Sequence, residues 1–448
     1  MDRIRCRVYS LGLWMSLLIV SAPVSAGEPS AAAGRLALHE AVEIALSHHP
    51  SLLAARGALQ AQQALVDVAR SNFFPQLSLG SSYQRATANV NSSGNSAALG
   101  NTSLRGSSSG SLNESFNNYS ATLTLQQRIF DFGKVGADVE AARENMQGSS
   151  WSEEASRQTV TVNVKVAYFG LLQARRLVQV QDETVQQFEQ HLKQAEGFFQ
   201  AGTRTRYDVT TAEVNLTNAQ LNLINAQNAE TVARVTLANT MGVPERPIGE
   251  LEDLLSFQKF EISEDQAIQE ALANRPELLS LSAQRQAAEA SVRSAQRNYF
   301  PVLSGVADYS YGGEDFPLVR NWDAGVSLTF SIFSGYLMQS QIAQARANQV
   351  VIGANEEAFR QNIILEVHQA FSNLTEAEKR VQTSEIVVRQ AEENLDLANG
   401  RFQAGVGTTV EQTDAQVLLT NAKTSQVQAL YDYRVAEAQL QKAMGRKE

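Results

Sequence analysis

Few residues in this 448-residue chain are arranged to do chemistry. Asp131-Phe132-Gly133 spells a tripeptide that holds magnesium in kinases, but no Gly-rich or catalytic loop accompanies it. It reads instead as the turn between a predicted strand and a predicted helix. His48 and His49 are adjacent, so on a helix they do not share a face and make a poor metal site. His39, His191 and His368 stand alone. Five His and one Cys leave little material for structural zinc. No nucleophile elbow or catalytic carboxylate pair is present, so the sequence predicts no enzyme, no cofactor and no metal. Glu411 and Asp414 are the remaining pair of interest. They are i and i+3 on a predicted helix, so both point the same way. Two readings stay open for them: acids at a solvated helix N-terminus, where the dipole favours them, or carboxylates facing a pore.

The elements that carry these residues are written twice. HEAVEIALSHHPSLL near position 40 matches EDQAIQEALANRPELL near 266, with Ala41/Ala267, Leu46/Leu272 and Pro50/Pro276 at one spacing. Phe74-Pro75 matches Phe300-Pro301 at that same spacing. Phe199-Gln200-Ala201-Gly202 matches Phe402-Gln403-Ala404-Gly405, and Met241-Gly242 matches Met444-Gly445, at a shorter spacing. The first copy therefore carries an insertion, which falls in 88–118. That stretch is mostly Ser, Asn and Gly and reads as a long solvated loop.

Each copy predicts helix, two strands, a very long helix and a second helix. The first copy spans 27–242, with helix 36–72, strands 74–87 and 117–128, long helix 134–201 and helix 205–241. A linker, 243–263, leads to the second copy, 264–448, with helix 264–298, strands 300–312 and 320–331, long helix 336–404 and helix 408–445. Pro50 and Pro276 fall inside the first helix of each copy, where a kink is expected. The long helices would each reach about 100 Å at 1.5 Å per residue. Leu171, Val178, Val185, Leu192 and Phe199 recur every seventh residue, as do Leu374, Val381, Val388, Leu395 and Phe402. Heptads of that length predict coiled-coil packing.

The strands alternate. Leu77, Leu79 and Tyr83 are set against Gln76, Ser78 and Ser82, and Trp322, Ala324, Val326 and Leu328 against Asp323, Ser327 and Thr329. One apolar face with aromatics near its ends and one polar face is the pattern of an outer-membrane strand. Four strands cannot close a barrel, since the smallest have about eight. The chain must oligomerise or leave edges exposed.

Residues 1–26 read as a secretory signal. Arg3, Arg5 and Arg7 precede the short apolar run 11–20, and Val24-Ser25-Ala26 offers a cleavage site. Cleavage would remove Cys6, the only cysteine, and leave the chain more acidic than its full-length charge of −10. A chain of that charge lacks the footprint of a nucleic-acid binder. No later run is long and apolar enough for a transmembrane helix, so any bilayer crossing must be by β-barrel.

The duplicated plan, the exported acidic chain and the FQAG turn before an acidic helix resemble the TolC family of outer-membrane efflux proteins. The resemblance runs from about Leu36 to Gly445. It implies a mainly α fold with a membrane β-barrel: a homotrimer whose strands close a twelve-stranded barrel in outer-membrane lipid, above a long periplasmic α-helical tunnel. It implies a periplasmic adaptor and an inner-membrane transporter as partners, in efflux or type I secretion. The alternative is a periplasmic structural or adaptor coiled-coil protein.

In the family the periplasmic gate lies at the turn between the long and short helices of each copy, here FQAGTRTRYDV and FQAGVGTTVEQTD. Aligned through Gly405, the family's acidic pore rings fall on Glu411 and Asp414. A closed relative locks this turn with a Tyr and an Arg of the second copy, bonded to an Asp and its neighbour in the first. Those partners fall on Asp208 and Tyr207. The Tyr position is Phe402, which has no hydroxyl, and the Arg position is Gly407. Arg204 and Arg206 lie in the first copy instead. The expectation is that one of them bridges to Glu411 or Asp414, or that the resting state is looser.

Overall fold

The computed structural model describes residues 35–87, 115–245 and 247–446. The predicted signal, 1–26, lies outside them, as does most of the predicted loop. The elements run α1 (Leu38–His48), α2 (Pro50–Ser71), β1 (Gln76–Thr87), β2 (Ser115–Phe130), α3 (Lys134–Gln200), α4 (Arg206–Thr240), α5 (Glu264–Asn274), α6 (Pro276–Arg297), β3 (Val302–Gly313), β4 (Val319–Thr329), α7 (Leu337–Gln403) and α8 (Thr409–Ala443).

Two expectations are corrected. The first helix of each copy is not one kinked helix but two separate ones. His49 (φ −67°, ψ 126°) and Arg275 (φ −68°, ψ 118°) are extended, because the proline that follows disfavours the α region for the residue before it. The predicted loop 88–118 is too long at its far end, since residues 115–118 belong to β2 and pair with β1, Asn117 opposite Arg85.

Each helix break is also a docking point. Gly242 after α4 and Gly445 after α8 adopt φ of +75° and +69°. A Cβ on Gly242 would lie 2.9 Å from the His49 Cα, and one on Gly445 2.9 Å from the Arg275 Cα. The return helix of each copy thus ends against the break in that copy's first helix.

The strands form one antiparallel sheet in the order β1-β2-β3-β4. Its register sets Tyr83 opposite Tyr119 and Tyr309 opposite Trp322 on one face. Thr124, Asp308 and Asp323 align in one row on the other. Among the described residues neither outer edge, on β1 or on β4, has a partner strand. Trp322 is 75% exposed and the whole of β4 is solvent-facing in the single chain.

Below the sheet, α3 and α7 each run 67 residues, about 100 Å. Asp131 caps α3: its carboxylate accepts the Gly133 N–H at 3.0 Å and the Val135 N–H at 2.9 Å. The kinase-like tripeptide is thus a helix-starting turn. In the second copy every heptad residue from Leu374 to Phe402 is buried. In the first, Leu171 and Val185 are buried but Phe199 is 39% exposed. Two clusters form the core midway along the bundle, one around Tyr168 and one around Tyr433. Both tyrosines pin the 243–263 linker. The Tyr168 hydroxyl bonds the carbonyls of Leu36 (2.9 Å) and Glu252 (3.0 Å), and burial pushes its pKa up to about 12. The Tyr433 hydroxyl donates to the Gln258 carbonyl at 2.6 Å and accepts the Phe260 N–H at 3.0 Å. Among the described residues no helix is long and apolar enough to cross a membrane.

Candidate functional site

The site is built where the two long hairpins turn. α3 ends and the chain reverses through Gly202 (φ +73°). α7 ends and reverses through Gly405 (φ +79°). Glycine suits these left-handed positions. Thr203 N–H bonds the Phe198 carbonyl, and Val406 N–H that of Arg401, so both turns close by the same helix-ending pattern.

Side chains then tie one turn to the other. The Arg204 guanidinium donates from Nη2 to the Gly407 carbonyl oxygen at 2.8 Å. Its carbon lies 5.1 Å from the centroid of the Phe402 ring, a cation–π distance. Phe402 is buried and meets Phe198 edge-to-face at 5.6 Å. Arg204 therefore bridges to a backbone carbonyl and not to Glu411 or Asp414. A bridge to one of those carboxylates from Arg204 or Arg206 is one of the two expectations from the sequence, the other being a looser resting state. Arg206 is exposed and makes no bridge among the described residues. Tyr207 is 74% exposed.

Gly407 is small for a steric reason. A Cβ there would sit 2.8 Å from the Phe402 nitrogen and 3.0 Å from the Arg401 carbonyl carbon. With this turn, no arginine fits at the position where the resemblance looked for one. The cation comes from the other copy and reaches the same turn.

Asp208 holds the second tie. One carboxylate oxygen accepts both the N–H (3.1 Å) and the hydroxyl (2.9 Å) of Thr205. The other accepts the Thr409 hydroxyl of α8 at 3.0 Å. Partial desolvation pushes the Asp208 pKa up. The Thr205 and Thr409 hydrogen bonds and the nearby Arg204 charge outweigh it, and the net shift is downward. Thr409 was missed by the sequence reading. It is an unremarkable threonine, and only the fold brings it to Asp208. Thr205-x-x-Asp208, by contrast, is a legible helix-start pattern.

Glu411 and Asp414 lie on the first turns of α8. Glu411 N–H is capped by the Thr408 hydroxyl at 3.2 Å, and its carboxylate pairs with Arg401 Nε at 3.3 Å. Arg401 is the second residue that sequence reasoning missed. Asp414 is exposed. The two acids are thus unlike: Glu411 is partly neutralised by Arg401, whereas Asp414 has no ion pair among the described residues.

The histidine pair is local. His49 caps α2, its Nδ1 accepting the Ser51 N–H at 3.2 Å, and His48 Nδ1 lies 2.7 Å from the Ser47 hydroxyl. His191 is buried on α3 with its ring 5.8 Å from that of Phe188.

The family described as outer membrane efflux protein matches residues 41–243 and 267–446. Outer membrane protein TolC of Escherichia coli is 25% identical over 405 residues, covering 85% of this chain and 76% of that protein. Protein CyaE of Bordetella pertussis is 26% identical over 399 residues, covering 85% and 78%. Among solved structures, the transmembrane channel CusC superposes with a TM-score of 0.77 at 19% identity, covering 91% of this chain and 92% of that one. The CmeC outer membrane channel of Campylobacter jejuni gives 0.76 at 18% identity, covering 91% and 85%. At those identities the superpositions speak for the fold.

Proposed function

The chain belongs to the outer membrane efflux protein family, and we propose that three copies of it close one exit duct whose periplasmic end is gated at the two helix turns. It is an outer-membrane channel and not an enzyme, and the periplasmic structural or adaptor alternative falls with the family assignment. It works with a periplasmic adaptor and an inner-membrane transporter. Residues 1–26 serve as its export signal. The single observation that carries the reading is the four-stranded sheet with two open edges and one exposed apolar face, set on helices about 100 Å long. Open edges are costly in water. Three copies joined β4 to β1 would remove them all and turn the apolar face to lipid.

At the other end, threefold symmetry would repeat Glu411 and Asp414 around the axis as two acidic rings. Such rings attract cations and narrow the entrance electrostatically. The ties Arg204–Gly407 and Asp208–Thr409 hold the two turns of each chain together at rest. Opening would separate the α3–α4 hairpin from the α7–α8 hairpin and break both. A charge-assisted hydrogen bond to a carbonyl contributes about 1.5–3 kcal/mol, enough to bias a gate yet small enough for a docking partner to overcome.

The test is single-channel current from the purified protein in a planar bilayer. A cation-selective pore supports the duct. Absence of current, even in variants at Arg204 and Asp208, would sink it.

A further inference from the structure

The apolar face of the sheet ends in two arginines at the pole away from the helices. β1 runs toward that pole, and Arg85 follows Tyr83 by two residues. β4 runs away from it, and Arg320 precedes Trp322 by two residues. Period-two alternation puts each arginine on the same face as its aromatic neighbour. The register agrees, pairing Arg320 with Tyr311 and Tyr309 with Trp322. The aromatic level is well marked. Tyr83 and Tyr119 rings lie 4.9 Å apart, and Tyr119 and Phe316 rings 5.1 Å apart.

Among the described residues neither arginine is neutralised. Arg85 donates to the Ser115 hydroxyl, from Nε at 3.3 Å and Nη2 at 2.9 Å. Arg320 is exposed, and neither makes an ion pair among the described residues. The strand carboxylates nearby, Asp308 and Asp323, lie on the opposite face, where Thr124 donates to Asp308. At the helix pole three arginines do have partners: Arg70 pairs with Asp67 at 3.4 Å, Arg128 with Asp131 at 3.6 Å, and Arg297 lies over the Phe300 ring. At the far pole Glu314 and Asp315, in the turn between β3 and β4, form no ion pair with Arg85 or Arg320 among the described residues.

Resting on the barrel reading above, we infer that Arg85 and Arg320 bind the phosphate of an anionic lipid in the outer leaflet. Aromatic side chains mark the depth of the bilayer interface. Two residues further along a strand is about 6–7 Å, which carries each guanidinium from that depth to the phosphate layer. A planar fork of N–H donors fits phosphate oxygens in two-point contact. The exposed aromatic surface beneath receives the acyl chains. The chain's net charge of −10 repels anionic surfaces as a whole, so the attraction is local.

The experiment uses the full-length protein in phosphatidylcholine vesicles, doped with a bisphosphorylated glucosamine lipid, its dephosphorylated form, or phosphatidylglycerol. Bound lipid is counted by native mass spectrometry. Wild type should hold the bisphosphorylated lipid in preference to its dephosphorylated form. Arg85→Gln/Arg320→Gln should bind it about thirtyfold more weakly, the factor for two arginines at a charged bilayer surface. Arg85→Lys/Arg320→Lys, which keeps the charge but not the fork, should fall between wild type and the Gln variant, and covers the case in which the Gln variant fails to assemble. Equal binding by wild type and the Gln variant overturns the inference, as does no preference for phosphate. Quenching of Trp322 fluorescence by brominated acyl chains, referenced to Trp322→Phe, separates the two levels. Quenching without phosphate preference removes only the lipid site; no quenching removes the barrel reading itself.

Discussion

Arg204 donates to the carbonyl oxygen of Gly407 at 2.8 Å, and Gly407 occupies in the second copy the position that Arg204 holds in the first. The duplication has thus placed a long cation and the residue with no side chain at equivalent sites, and the fold makes one reach the other. The asymmetry is the device: a Cβ at 407 would strike the Arg401–Phe402 backbone, so the cation can come only from the first copy.

Arg204→Ala should loosen the turn. It removes the bond to Gly407 and the contact with the Phe402 ring, about 2–4 kcal/mol together. The resting open fraction should rise by at least about tenfold, read as channel current or as entry of a bulky antibiotic into cells. Arg204→Lys should fall between, since an ammonium keeps the charge but not the fork. A resting current equal to wild type would remove Arg204 from the lock.

Asp208→Asn should also raise leak, and its effect should depend on pH in a set direction. The folded pKa of Asp208 lies below its ordinary value of 3.8. Its contribution is therefore complete above that value and is lost as pH falls through the lower folded pKa. Wild type should leak in strong acid, and Thr409→Val should shift the onset to higher pH.

Glu411→Gln and Asp414→Asn should differ. Both acids are proposed ring members, but Glu411 is paired with Arg401 at 3.3 Å whereas Asp414 is exposed. Asp414→Asn should weaken cation selectivity and trivalent-cation block more than Glu411→Gln. Reversal potentials in a salt gradient measure this. If neither variant changes them, the ring assignment is wrong.

Burial pushes the His191 imidazole down to about 4 from 6.5. Between those values the unfolded chain binds a proton that the folded chain refuses. Stability should therefore fall as pH is lowered from about 6.5 to about 4, with no further contribution below. In His191→Gln the slope of unfolding free energy across this window should flatten, as thermal or denaturant unfolding would register.

Gly445→Ala should destabilise by about 2 kcal/mol or more, combining a left-handed φ of +69° with a methyl 2.9 Å from the Arg275 backbone. Gly242→Ala should cost a similar amount against His49. Gly353→Ala, whose Cβ would meet nothing within 4 Å on α7, should be neutral or slightly stabilising by helix propensity and serves as the control.

Most of the plan was legible because it rests on local physics. The duplication, the alternating strands and the breaker-free helices are periodic signals, and periodicity survives in one dimension. In the sequence, Pro50 and Pro276 announce an interruption but not its form. The proline's grip on His49 and Arg275 separates two helices where a bend was expected. The start of β2 at Ser115 was hidden because Ser and Asn look like loop, and their pairing depends on Arg85 and Tyr83 across the sheet.

The gate divides in the same way. The sequence by itself determined the turns: the glycines at 202 and 405, the capping threonines, the acids at 411 and 414, and the absence of a hydroxyl at 402. Each is a property of a residue and its near neighbours. Only the tertiary structure decided which partner each side chain finds. Arg204 takes a carbonyl in place of a carboxylate, Arg401 takes Glu411, and Thr409 takes Asp208. Phe402 is buried while its counterpart Phe199 is exposed. Two copies of one pattern cannot both face inward at the same contact, and that choice is made by packing across some two hundred residues of sequence, where no local rule reaches.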